Sequence, residues 1–176
     1  MNYDLILGIF NIVLISTTPL VFAGIGELVT EKSGVLNLGL EGLMLVGAVS
    51  GFISLVITGN YFYSFILSIL SGVVLSSIFA FFVLRLLTNQ IATGLALTIF
   101  GIGLSAMLGK KFAGTPINGL NPYYLIIFSF ILVFLINYIL YKTKTGLIIR
   151  AVGENHHSAY ALGYDVIKTR YLTIIF

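Results

Sequence analysis

The chain has 176 residues, of which 59% are apolar and only 9% charged, with a formal net charge of +3 and a mean hydropathy of +1.10. That balance excludes an ordinary water-soluble domain, whose interior at this length is too small to hide so much apolar surface, and fits a chain whose solvent is largely lipid. With no cysteine in the sequence, a disulfide framework and a thiolate metal site are both excluded.

A helix needs about 20 apolar residues to cross about 30 Å of hydrocarbon. Four long intervals carry no Asp, Glu, Lys or Arg: Leu5 to Gly26, Gly42 to Leu84, Leu86 to Gly109 and Phe112 to Tyr141. The second is long enough for two crossings joined near Gly59 and Asn60. The expected fold is all-α, a polytopic transmembrane helical bundle. Its five full spans lie near 5–25, 38–58, 62–86, 90–109 and 123–141, and a sixth starts at Tyr171. Unbroken apolar runs without period-two alternation argue against a closed barrel. The first span is read as retained, because Asp4 and no Lys or Arg precedes it, which is not the pattern of a signal peptide.

After the first span comes GIGELVTEKSGVLNLGLEGLMLVG, residues 24–47, with charges set flush against apolar runs. Glycines at 24, 26, 34, 39 and 42 would allow a broken or re-entrant helix whose free amides and carbonyls line a solute path. Asn37 and Glu41, four apart, are expected to share one face. Glu41 enters the second span, where an ionised carboxylate is costly; it either snorkels to the interface or serves inside the bundle.

In lipid, close backbone approach between small residues drives helix association. Gly47 and Gly51 form a G-x-x-x-G in the second span, and Ser64, Ser68, Gly72, Ser76 and Ala80 fall every fourth residue in the third, making an expected groove for a neighbouring helix. Gly94, Thr98, Gly101, Ser105 and Gly109 form a comparable row in the fourth. Packing is the first explanation of such rows and an aqueous lining the second. Gly101 to Ala106 matches the loose dinucleotide pattern G-x-G-x-x-A but lies inside an apolar span with no strand before it. Gly109-Lys110-Lys111 departs from a P-loop at Leu104 and Lys111, so no ATP site is expected on this chain.

The loop from Lys142 to Arg170 holds five of the nine basic residues, and the positive-inside rule makes it cytoplasmic. Alternating backwards places Arg85 and Lys32 inside, and Lys110, Lys111 and the amino terminus outside. Within the loop, Asn155 is a good N-cap, His156 to Leu162 should run helically and Gly163 should stop the helix. Such a rod either rests on anionic lipid or docks a soluble partner. His156 and His157 point about 100° apart on a helix and read as a solvated pair, not a metal site.

Three blocks now carry a resemblance: TPLVFAGIGELVTEKSGVLNLGLEGLMLVGA at 18–48, NQIATGLALTIFG at 89–101 and TKTGLIIRAVGENHHSAYALGYDVIKTRYL at 143–172. Together they make the chain resemble permease subunits of ABC importers of the branched-chain amino acid and simple sugar type, closest to the nucleoside uptake branch. The resemblance implies a coupling helix that docks on a separate ATPase subunit, assigned to Glu154, Asn155, Ser158, Ala159, Leu162 and Gly163. It implies alternating access by two permease subunits, identical or homologous, fed by an extracytoplasmic binding protein or lipoprotein in the cell membrane. ATP and magnesium belong to the ATPase partner, no cofactor is bound by this chain, and no nucleic acid is involved. Family members continue past the coupling loop with several more spans. The chain is therefore expected to be one incomplete permease domain, residues 1–176, with the loop 142–170 inside it. Asn37, Glu41, Asn89 and Gln90 are the expected solute-path residues, and the scarcity of charge in the spans suits neutral nucleosides or simple sugars. The alternative is a membrane scaffold or degenerate subunit that only recruits a cytoplasmic partner.

Overall fold

A computed structural model describes residues 3–117 and 119–176, and among them every regular element is helical. Helix α1 runs unbroken from Tyr3 to Lys32, thirty residues, or about 45 Å at 1.5 Å per residue. Gly24 and Gly26, expected to weaken it, lie inside this continuous helix. The break comes later, at residues 33–39. Gly34 adopts φ +82°, its N–H donates to Glu31 O (2.9 Å) and the Val35 N–H reaches back to Thr30 O (3.4 Å). This is a Schellman ending, which satisfies the last carbonyls of α1 and needs the left-handed conformation that glycine tolerates best.

Helix α2 (Leu40–Thr58) stops at Gly59, again with positive φ, and Asn60 caps α3 (Tyr61–Ala80) by accepting the Phe62 N–H at 2.9 Å. A π-helical turn at Phe81–Arg85 follows and completes the third span, which ends at residue 85 against the expected 86. Helix α4 (Gln90–Gly109) leads into a short 3-10 turn at Lys110–Phe112. Helix α5 (Pro122–Lys142) begins with proline after Asn121, whose side chain caps Tyr123 N–H at 3.1 Å. Five helices are long and apolar enough to cross a membrane, matching the five expected spans.

The loop 142–170 holds more structure than the single expected rod. Helix α6 (Lys144–Glu154) follows a sharp turn, and Gly146 in its first turn lies directly on the carbonyls of Ile139 and Leu140. Helix α7 (His156–Ala161) ends one residue before the expected Leu162, and α8 (Val166–Ile175) begins five residues before the expected Tyr171. Asp165 sets that earlier start by accepting the Lys168 N–H at 2.9 Å.

Helices α2, α3 and α4 pack as one group and α1 with α5 as another. At the α2–α4 crossing, a Cβ added to Gly101 would stand 2.5 Å from Gly42 Cα. At the α2–α3 crossing, Ser68 Oγ donates to Gly47 O (2.8 Å) and Ser64 Oγ to Gly51 O (2.7 Å). Two buried clusters result: Phe79, Leu75, Val46 and Leu97 between α2, α3 and α4, and Ile25, Val29, Ile136 and Leu140 between α1 and α5. Helix α8 joins the groups, with Ile174 in the first cluster and contacts to α1 and α6.

Candidate functional site: a polar cavity beside the broken segment

The non-helical stretch 33–39 alternates buried and exposed residues, with Ser33, Val35, Asn37 and Gly39 buried, and its backbone polar groups, freed from helical bonds, need other partners. Side chains from two helices supply the partners. Gln90 Oε1 on α4 accepts the Leu36 N–H (2.9 Å), Glu27 Oε1 on α1 accepts the Asn37 N–H (3.0 Å), and Thr98 Oγ1 on α4 donates to Leu38 O (2.9 Å). Asn37 Oδ1 closes a local turn by accepting the Gly39 N–H at 2.9 Å. Gly94 of α4 lies so close to this stretch that a Cβ there would stand 2.8 Å from Leu38 N.

Beside the stretch lies a cavity of about 260 Å³ between α1, α2, α3 and the end of α8. Its polar groups are Glu27, Thr30, Asn37 and Ser76, and no basic side chain lines it. Thr30 Oγ1 donates toward both Gly26 O (3.1 Å) and Thr173 O (3.0 Å), leaving its oxygen lone pairs to accept. Gly26 and Gly72 face the cavity from opposite helices, and a Cβ added at either would meet no atom within 4 Å.

The four expected solute-path residues part company here. Asn37 is 5% exposed and lines the cavity. Glu41 is exposed in the first turn of α2, where a carboxylate favourably meets the positive end of the helix dipole. The face it was expected to share with Asn37 does not form, because Asn37 precedes the helix. Asn89 is spent as the cap of α4, accepting Ile91 N–H (3.0 Å) and Ala92 N–H (3.2 Å). Gln90 holds the Leu36 amide and is not among the cavity's lining residues. Of the expected packing residues, Gly47, Gly51, Ser64 and Ser68 meet at the α2–α3 crossing. Ser76 is buried at the cavity wall, and Gly72 opens the cavity instead of seating a helix. The residue missed from the sequence is Glu27. Placing the first span's end near residue 25 made it a loop residue, whereas the helix carries it, and Thr30 one turn on, to the cavity.

The helical loop is tied directly to the same stretch. Arg170 Nε donates to Ser33 O (3.1 Å), Thr173 Oγ1 donates to Ser33 Oγ (2.8 Å), and Gly153 lies against the carbonyl of Lys32. Beyond this joint α7 projects outward. Asn155 Oδ1 caps it through the Ser158 N–H (3.1 Å), and Gly163, at φ +87°, ends it with Tyr164 N–H bonded to Ala159 O (3.1 Å). Glu154, Asn155, Ser158, Leu162 and Gly163 are exposed, whereas Ala159 is 2% exposed and packs inward. Tyr160 and Leu162, at 74% and 75% exposure, form the apolar tip. The rings of His156 and His157 lie with centroids 4.1 Å apart, a tilted stack and not the divergent pair expected. Among the described residues no group of three or more His, Cys, Asp or Glu side chains could hold a metal ion.

A family model described as "Branched-chain amino acid transport system / permease component" matches residues 9–176. The chain is similar to a protein of Haloferax volcanii provisionally named a glucose ABC transporter permease, at 36% identity over 96% of this chain and 58% of the relative. It is similar at 28% identity to a guanosine ABC transporter permease of Bacillus subtilis, over 92% of this chain and 60% of the relative. A nucleoside ABC transporter permease of Lactococcus lactis is 28% identical over 92% of the chain and 61% of its own length. The chain thus spans about three fifths of the length of these curated relatives. No solved structure matches it. With its five membrane-length helices and a family match across nearly all its residues, the chain is a multi-pass plasma-membrane protein belonging to the branched-chain amino acid transport system permease family.

Proposed function

We propose that this chain forms part of the membrane path of an ATP-driven importer for small neutral polar solutes, nucleosides or simple sugars. Two permease subunits rock between outward and inward openings as two ATPase subunits close on ATP and magnesium, and an extracytoplasmic binding protein delivers the solute. This chain contributes a path and a lever, and the chemistry stays in the ATPase partner. The observation that carries the reading is the joint: the loop bearing the coupling segment and the helix that follows it are bonded at Ser33 to the stretch whose Asn37 lines the cavity. A displacement of α7 by a partner would reach the cavity wall through α6 and α8, which touch the broken stretch at Lys32 and Ser33. The named substrates of the three relatives, glucose, guanosine and nucleosides, are uncharged, in keeping with a cavity that offers hydrogen-bonding groups and no basic side chain.

The orientation follows from the same contacts. Lys32 and Arg85 lie at the end of the bundle that carries the loop 142–170, so seven of the nine basic residues share one end, which we take as cytoplasmic. The test is co-purification from membranes. Leu162→Glu together with Tyr160→Arg should abolish recovery of the ATPase while the permease still inserts, because both side chains are exposed and their loss leaves the fold intact. Undiminished recovery would remove α7 as the docking element. Recovery of the ATPase by the unaltered chain without any ATP-dependent uptake in proteoliposomes would favour the recruiting scaffold.

A further inference from the structure

We propose that Glu27 is a solute-contacting residue that selects solutes bearing O–H or N–H donors and excludes anions. The proposal rests on the reading of the cavity as part of the solute path. A carboxylate offers about four lone-pair sites, and the Glu27 side chain spends one of them on the Asn37 N–H at 3.0 Å while lining the cavity. No ion pair or second hydrogen bond engages it among the described residues. The rest of its acceptor capacity is available to whatever enters.

The neighbouring groups point the same way. Thr30 has donated its hydroxyl hydrogen to backbone carbonyls and presents lone pairs. Asn37 has committed its oxygen to Gly39 and retains two N–H donors, and the Ser76 hydroxyl completes the polar wall. Acceptors from Glu27 and Thr30 with a donor pair from Asn37 match a solute that carries hydroxyls or ring N–H groups beside a carbonyl or ether oxygen, as sugars and nucleosides do. A phosphate or carboxylate brought here meets the Glu27 carboxylate, with no Lys, Arg or His in the lining to offset the like charge. The aliphatic walls, Leu40, Leu43, Ile69 and Val73, suit the faces of a sugar or base. Glu27 is thus both the clamp of the broken segment and the charge that filters the path.

The two roles separate experimentally, because Glu27→Gln keeps a carbonyl oxygen for the Asn37 N–H while it loses the charge and replaces the second acceptor oxygen with an NH2 donor. With the permease in its native complex and reconstituted into proteoliposomes, uptake of guanosine and glucose is measured, with guanosine monophosphate and gluconate as competitors. Glu27→Gln is expected to raise the KM for the solute transported by about tenfold and to let its anionic counterpart compete. An unchanged KM and continued exclusion of the anion would overturn the assignment and leave Glu27 as a clamp alone. Absence of ATP-dependent uptake of either solute by the unaltered complex would overturn the importer reading and this proposal with it. A second measurement needs neither transport nor a stable Glu27 variant. Gly72→Cys places the sole thiol of the chain on the cavity wall, where an added Cβ meets nothing within 4 Å. A cationic methanethiosulfonate should modify it about tenfold faster than an anionic one of the same size. Equal rates would overturn the charge filter.

Discussion

Gly101 and Gly103 are two residues apart in one helix and answer to different forces. A Cβ at Gly101 falls 2.5 Å from Gly42 Cα, so nothing on either side can yield except the helix axes, whereas a Cβ at Gly103 meets nothing within 4 Å. Gly101→Ala should therefore destabilise the protein by about 1–3 kcal/mol through overpacking. Gly103→Ala should be neutral or gain up to about 1 kcal/mol from reduced backbone entropy in the unfolded chain. Thermal unfolding in detergent of the two variants side by side checks both signs, and equal midpoints would show that the α2–α4 crossing is looser than drawn. The small-residue rows were legible because spacing by four selects one helix face. Which member of a row meets a helix was not: Ser68 touches Gly47 while Gly72, next in the same row, faces the cavity.

Among the elements, α8 is the one whose contacts tie the helical loop to the broken stretch and the cavity wall. It begins outside the apolar spans, yet Thr173 and Arg170 reach Ser33, and the Thr173 carbonyl accepts from Thr30 on the cavity wall. Under the importer reading, Thr173→Val removes one bond of the joint, about 1 kcal/mol, without touching α7. ATPase association should persist while solute moved per ATP hydrolysed falls, a ratio read by measuring uptake and phosphate release on the same vesicles. An unchanged ratio would mean that the joint carries no motion. Nothing in the loop sequence announced this. Asn155 and Gly163 marked the ends of α7 because caps and left-handed stops are local chemistry. The bond from residue 173 to residue 33 joins groups 140 positions apart, and no periodicity or cap records such a pairing.

At the scale of the whole molecule, the two ends of the bundle differ in charge and in what they carry. One end gathers Lys32, Arg85 and the helical loop; the other holds Lys110, Lys111 and the Gly59 turn. In intact cells, a cysteine at Gly119, where an added Cβ meets nothing within 4 Å, should react with an impermeant thiol reagent added outside. A cysteine at Tyr160 should react only after the membrane is opened. The reverse pattern would invert the topology and place α7 away from any cytoplasmic ATPase.

The sequence by itself determined the number of membrane-length helices, the ends of the second to fifth within about three residues, the basic loop and the caps of α7. Each follows from local rules: about 20 apolar residues per crossing, charge at the membrane faces, and a side chain that bonds its own helix terminus. Only the tertiary structure decided which polar groups face the cavity. Glu41, conspicuous at the edge of an apolar run, lies exposed at a helix start, and Asn89 and Gln90 are consumed by backbone amides. Glu27 is brought to the cavity because α1 continues past Gly26 and the broken stretch folds back against it. An unpaired backbone amide takes whichever acceptor the fold brings within 3 Å, and that choice is made by helices far apart in the chain.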